Sequence, residues 1–224
     1  MKGNRVAAAG TLLVGFLLLT LVPVLSGFNH FPNKSIDMDK SHVAVVRSFA
    51  EQFPGIDLSD YNSATTPGMH IVLAAVSKVF GESETLLQVM TCLFGATMVM
   101  VAWWFAANRL QPWLAAVVVL PLALNPYVLG NSIWVMTDNF SLGLIALVIG
   151  SSVFLAPEPR RLVTTSLAMV ASVLVRQINL WTMAGAVLAA IAGAPGLRGR
   201  MPWHDELDDG WTPARYMVIS IGSV

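Results

Sequence analysis

An all-helical, polytopic transmembrane bundle is the fold this sequence predicts, on three observations. Apolar residues make up 55% of the 224-residue chain and charged residues 12%, against roughly 25% charge in an average soluble domain. Apolar runs recur at residues 6–26, 86–107, 112–130, 138–156, 160–176 and 178–194, and another opens at Tyr216. Runs of about 20 residues match the thickness of a bilayer core. Helix is the element that spans it here, because each backbone polar group must be paired within its own segment.

The breaks between runs have local causes: Pro112, "APEPRR" at 156–161 and "GAPGLRGR" at 193–200. Basic and acidic residues balance at 13 each, which excludes a general attraction to nucleic acid or to an anionic surface. Cys92 is the only cysteine, so an internal disulfide is excluded as well. The chain carries no internal repeat.

Lys2 and Arg5 precede "VAAAGTLLVGFLLLTLVPVLSG", which is longer than the roughly 7–15 apolar residues of a signal peptide. Residues 6–26 therefore read as a first span with Lys2 and Arg5 in the cytoplasm. One transmembrane domain follows: an outer loop at 27–66, a helical bundle at 67–194, a loop at 195–215 and the start of a further span at 216–224. That last element makes the chain read as the N-terminal portion of a longer protein.

Residues 67–80 are too few for a full span and have the length of a re-entrant or interfacial segment. Charge separates the two arrangements. If the segment crossed, Arg109, Arg160, Arg161, Arg198, Arg200 and Arg215 would all lie outside; if it does not, they join Lys2 and Arg5 in the cytoplasm, as basic residues prefer. The second arrangement also brings Asp138 and Arg176 to the face of the 27–66 loop.

That loop has the length at which loops carry function. In "DMDKSHVAVVRSFAEQFPG", Ser41 is placed to cap a helix, and Val45, Val46, Phe49 and Phe53 recur at helical spacing until Pro54 and Gly55. Arg47, Glu51 and Gln52 fall away from that stripe, so an amphipathic helix lying in the membrane interface is expected. Farther on, "ATTPGMHIV" holds a corner. Pro67 fixes its own φ and pushes Thr66 to extended geometry, Gly68 permits close packing, and Thr65 and Thr66 can satisfy freed backbone groups. A plain helix-start signal has the same composition.

Asp37 and Asp39 stand at the water boundary, where a carboxylate either takes a proton from a hydroxyl nucleophile or serves as a helix cap. His42 is near enough to share such a site. With no second histidine at ligand spacing, no metal is expected, and His30 and His70 do not alter that. Arg176, Gln177 and Asn179 interrupt an apolar stretch in "SVLVRQINLWTMAG". Ionisable groups at membrane depth face a cavity, a partner or a pathway, and the guanidinium fork suits phosphate; a turn at the interface is the other reading. Asp138, in "WVMTDNFSLG", can cap the next helix or pair with Arg176. Asn33 in "NKS" and Asn139 in "NFS" fit the N-glycosylation pattern.

Taken in order, "MDKSH" at 38–42, "ATTPGMHIV" at 64–72, "TDNFS" at 137–141 and "VRQINLW" at 175–181 resemble motifs of the dolichyl-phosphate-glucose-dependent alpha-1,2-glucosyltransferases. The likeness covers roughly residues 35–183. It departs at Lys40, where that family has an acidic residue, at "SH", where it has Phe-His directly, at the single Pro67, where it has two prolines, and at Ile178, where it has Thr. The resemblance implies a GT-C type helical bundle and a membrane hexosyltransferase. Such an enzyme moves glucose from a polyprenyl (dolichyl) phosphate donor to a lipid-linked glycan acceptor, with Asp39 as base and without metal or cofactor. Asp37, His42, Thr65, Thr66, Asp138, Arg176, Gln177 and Asn179 are then the expected substrate-binding residues. The expected partners are donor, acceptor and membrane lipid, and no nucleic acid. The location would be the endoplasmic reticulum membrane in a eukaryote and the plasma membrane in a bacterium. The rival expectation is a non-catalytic membrane protein, either a degenerate or truncated remnant or a transporter fragment; against the transporter stands the lack of related halves.

Overall fold

A computed structural model describes residues 2–28, 38–59, 61, 63, 65–154, 159–182 and 184. Among them the regular elements are all helical: α1 (Lys2–Ser26), a π-turn (Met38–Val43), α2 (Ala44–Gln52), α3 (Gly68–Phe80), α4 (Glu84–Ala107), α5 (Pro112–Ala123), α6 (Pro126–Ile133), α7 (Asp138–Phe154), α8 (Pro159–Val175) and a 3₁₀ turn (Gln177–Trp181). Asp37, His30, Asn33, most of the run expected to end at 194 and everything expected from 195 onward lie outside the described residues.

Two helices, α1 from Asn4 and α4, are long and apolar enough to cross a membrane. The run expected as one span at 112–130 is instead α5 and α6, bent by 73°. The reason is local. Pro126 lacks an N–H and holds Asn125 extended (φ −61°, ψ 125°), and the Asn125 side chain then caps α6 by accepting from the Tyr127 N–H at 2.8 Å. Counted as one broken span, the pair makes a third crossing. Helices α7 and α8 form where spans were expected, at 17 residues each, or roughly 26 Å at 1.5 Å per residue.

Register fixes the directions. Arg5 Nη2 donates to the Ala107 carbonyl at 2.5 Å, and Gly95 sits against the Phe16 ring, so α1 and α4 are antiparallel. Gly95 faces Asn139, Met98 faces Gly143 and Phe105 faces Gly150, so α4 and α7 run parallel. Inside lipid there is little hydrophobic drive between helices, and close approach through small residues supplies the dispersion contact instead. Three glycines along the α4–α7 seam are suited to that. Ser151 and Thr165 share a hydrogen bond at 2.7 Å, and Asn179 Nδ2 donates to Ser141 Oγ at 2.7 Å, which sets α8 antiparallel to α7.

Helix α3 has both ends in one half of the molecule. It starts against α8, where a Cβ on Gly68 would lie 2.5 Å from the Leu174 carbonyl oxygen. It ends at Gly81, whose φ of 96° needs a residue without a side chain, and α4 begins three residues later. Since α4 begins at the end away from Arg5, residues 67–80 return to the side they came from.

Two apolar clusters result. One joins α1, α4, α5 and α6 around Phe16, Val99, Trp103 and Val119. The other holds the π-turn, α2 and α3 onto the ends of α4, α7 and α8 through Met38, Val46, Phe49, Leu73, Leu87, Val135 and Val175, with Phe94 stacked on Phe140 at 4.4 Å. Val46 and Phe49 of the loop stripe are thus packed on protein. Helix begins at Met38, before Ser41, and the residue at the α2 N-cap position is Val43, with no side-chain cap bond. The expected cap at Ser41 is therefore not formed, because the π-turn supplies the preceding carbonyls.

This register predicts which segments share a side. Single cysteines at Leu58 and Arg109, each in a Cys92→Ser background, are expected to label differently with an impermeant maleimide on intact cells, position 58 reacting and position 109 not. Equal labelling of both positions would contradict the arrangement.

Candidate functional site

The polar residues gather at the end opposite Arg5, and the geometry there begins with the way α8 stops. A helix leaves its last four carbonyls without intrahelical donors. Here the Ser172 carbonyl accepts from the Arg176 N–H at 2.9 Å and from Asn179 Nδ2 at 2.9 Å, and the Val173 carbonyl accepts from Thr66 Oγ1 at 2.8 Å. Arg176 itself is extended (φ −147°, ψ 118°) and opens the 3₁₀ turn. The "VRQINLW" motif is therefore a helix break with its backbone groups satisfied.

That break aims Arg176 at α7. Its Nη1 pairs with Asp138 Oδ1, and the same carboxylate oxygen accepts from the Tyr127 hydroxyl at 2.7 Å. Asp138 is the first residue of α7 and pairs with Arg176, one of its two expected roles. Its neighbour Asn139 packs against Gly95, eleven residues into α4, which places the ion pair roughly 15 Å along α4 from its start. The pair is recessed below the loop elements. Only one guanidinium nitrogen is used by Asp138; the side chain stays 34% exposed, and a guanidinium carries five donors in all.

Above it lies a second constellation. His42, in the π-turn, and His70, on α3, are hydrogen-bonded Nδ1 to Nε2 at 2.8 Å, with rings stacked at 5.1 Å. The other nitrogen of His70 meets the Tyr61 hydroxyl at 3.2 Å, and that hydroxyl donates to the Thr65 carbonyl at 2.6 Å. Both imidazoles are buried. Burial pushes His70 down to about 3, and the neighbouring His42 acts in the same direction, because a charged ring in an apolar setting beside another cation is disfavoured.

The expected site residues thus divide. Asp39 is exposed in the π-turn and makes no hydrogen bond or ion pair among the described residues. His42, Asp138 and Arg176 are engaged as above. Thr66 and Asn179 spend their donors on α7 and α8, Thr65 lends its carbonyl to Tyr61 and its hydroxyl to Ser63, and Gln177 is exposed. Asn139 is 1% exposed and donates to Val128 O and Ser132 Oγ at 2.7 Å each, so the N-glycosylation pattern there falls on a core residue of this fold. Sequence reasoning missed His70, Tyr61 and Tyr127. The signal for His70 was present, since Met69, His70, Leu73, Ala74 and Ser77 form the buried stripe of α3 and put a histidine on an apolar face.

The described residues define a helical chain with two or three candidate membrane spans and a recessed polar end. No family model, no curated protein and no solved structure matches it.

The depressed His70 value carries a pH dependence. In the unfolded chain its imidazole protonates near the ordinary 6.5, whereas the folded value is about 3. Stability from this group is therefore complete above pH 6.5 and falls as pH drops from 6.5 towards 3. The thermal midpoint in detergent is expected to fall across that window, and His70→Gln to flatten the fall. A slope unchanged by His70→Gln would refute the assignment.

Proposed function

We propose that this chain is an integral-membrane hexosyltransferase of GT-C type, most like the alpha-1,2-glucosyl branch, which moves a hexose from a polyprenyl phosphate to a lipid-linked glycan. The observation that carries the reading is the recessed Arg176, held by Asp138 with most of its donors unused, at the same end as the unengaged carboxylate of Asp39. The order of the four motifs adds to it. In this reading the face of α2 bearing Arg47, Glu51 and Gln52 meets the headgroup region, and the pair beneath it meets the donor.

The chemistry asks for little beyond alignment and charge. The acceptor oxygen forms its bond to the sugar's anomeric carbon while the bond to the phosphate oxygen breaks, its electron pair leaving with the phosphate. Asp39 takes the hydroxyl proton, Arg176 binds the phosphate as its charge grows, and Asp138 fixes the guanidinium plane. His42, Thr65, Thr66, Gln177 and Asn179 line or brace the sugar-binding surface. No metal is needed on this account.

The rival reading, a non-catalytic membrane protein, draws on the same contacts: the pairing of Arg176 and the internal hydrogen bonds of Thr66 and Asn179 also suit a purely structural end. Two substitutions separate the readings. Asp39→Asn keeps size and one oxygen but not basicity, and is expected to cut transfer at least roughly 100-fold while leaving insertion and stability unchanged. Retention of more than a tenth of the rate removes Asp39 from the role of base.

Arg176→Lys keeps the charge and loses the planar fork. It is expected to raise the donor KM by roughly tenfold or more, the worth of one charge-assisted hydrogen bond, with little change in the thermal midpoint. Unchanged donor kinetics together with lost stability would make Arg176 a structural residue.

A further inference from the structure

Tyr127 is anchored by hydrogen bonds at both of its ends. Its N–H is taken by the Asn125 side chain at 2.8 Å, which fixes the backbone at the start of α6, and its hydroxyl donates to Asp138 Oδ1 at 2.7 Å. Between those anchors the residue is 58% exposed. A side chain this open ordinarily samples several rotamers. Here the two bonds select one, so the ring stands as a fixed apolar face whose rotamer freedom is already lost before anything binds.

What adjoins that face is specific. The oxygen that accepts from Tyr127 is the one that pairs with Arg176 Nη1, so the phenol tip and the guanidinium meet at a single atom. Arg176 keeps its remaining donors, and Asp138 Oδ2 makes no hydrogen bond among the described residues. Three chemistries therefore lie together: unused N–H groups of a cation, an unused carboxylate oxygen and an open aromatic ring. A free phosphate would use only the first, and a lipid chain only the third. A hexose 1-phosphate uses all three, with phosphate oxygens on the guanidinium, a sugar hydroxyl donating to the carboxylate and the C–H face of the pyranose covering the ring.

We infer that Tyr127 is the platform for the sugar of a hexose 1-phosphate, stacking on the pyranose while Arg176 holds the phosphate and Asp138 Oδ2 receives a hydroxyl. The source of that ligand, a lipid-linked sugar phosphate, rests on the transferase reading; the platform itself rests on the three adjoining groups. Tyr127 is thereby a residue that touches the sugar, added to the phosphate contact at Arg176. The bend between α5 and α6 also gains a role, because the Asn125 cap that follows it is one of the two anchors of the ring.

The test measures binding without turnover. The full chain in detergent micelles is titrated by calorimetry with glucose 1-phosphate, inorganic phosphate and a short-chain polyprenyl phosphate glucose. Glucose 1-phosphate is expected to bind at least roughly tenfold more tightly than inorganic phosphate, and saturation-transfer NMR to show contact concentrated on the protons of one sugar face. Tyr127→Leu keeps apolar bulk and loses the flat ring. It should abolish that advantage while changing inorganic phosphate binding less than about threefold and leaving the thermal midpoint unchanged, since the side chain is exposed. Tyr127→Phe keeps the ring but loses the Asp138 anchor, and should fall between the two. Inorganic phosphate bound as tightly as glucose 1-phosphate, equal losses for both ligands in Tyr127→Leu, or binding of neither would each overturn the platform. The lipid-linked sugar is expected to bind more tightly again; binding no tighter than glucose 1-phosphate would assign the platform to a free sugar phosphate. Where transfer is measured, Tyr127→Leu should raise the donor KM roughly tenfold with little change in kcat. Transfer indifferent to Tyr127 overturns the platform and leaves the transferase reading, whereas glucose 1-phosphate binding without transfer by the unmodified chain removes the transferase reading and leaves the platform.

Discussion

The polar end of this molecule, opposite Arg5, depends on the open carbonyls where α8 stops. Away from water, an unpaired backbone carbonyl costs several kcal/mol, so a helix cannot end there unless other donors arrive. Three do, from three places in the chain: the Arg176 N–H, the Asn179 amide and the Thr66 hydroxyl. The Thr66 bond reaches across 107 residues and, with the close contact of Gly68 on Leu174, pins the start of α3. Asn179 ties the same point to α7 through Ser141. The requirement that closes α8 thus gathers α3, α7 and the helix break in one place, and Arg176 is aimed at Asp138 as a consequence.

How legible this was in the sequence follows the range of the interactions. Runs set by composition were legible: α1, α4, α7 and α8 begin and end within a few residues of the apolar segments that announce them. The Thr-Pro-Gly corner was legible as well, because proline and glycine act on their own backbone, and both the close packing and the threonine hydrogen bond appear at Thr66 and Gly68. The break inside 112–130 was missed. Hydropathy is blind to Pro126, which alters backbone geometry without lowering the apolar content.

The site was legible to the extent that charge in an apolar run is conspicuous. Asp138 and Arg176 could be paired on those grounds alone, since neither is cheap to leave unpaired at depth. The histidine pair could not. His42 and His70 are 28 residues apart, on a turn and a helix that meet only because Val46, Phe49, Leu73 and Leu87 share a cluster, and neither residue has a local pattern that names the other. Tyr61 and Tyr127 are hidden for the same reason: their hydroxyls act at contacts the fold creates.

The two polar constellations differ in a way that bears on what each can do. Asp138 and Arg176 neutralise each other, so the recessed pair adds no net charge to a low-dielectric setting, yet it leaves a cation with spare donors that an arriving anion can engage. His42 and His70 are instead two buried rings, stacked and hydrogen-bonded to each other. Val175 and Val135, beside Arg176 and the loop before Asp138, belong to the cluster that also contains Val43, beside His42. The ion pair and the histidine pair are therefore seated on one packed cluster.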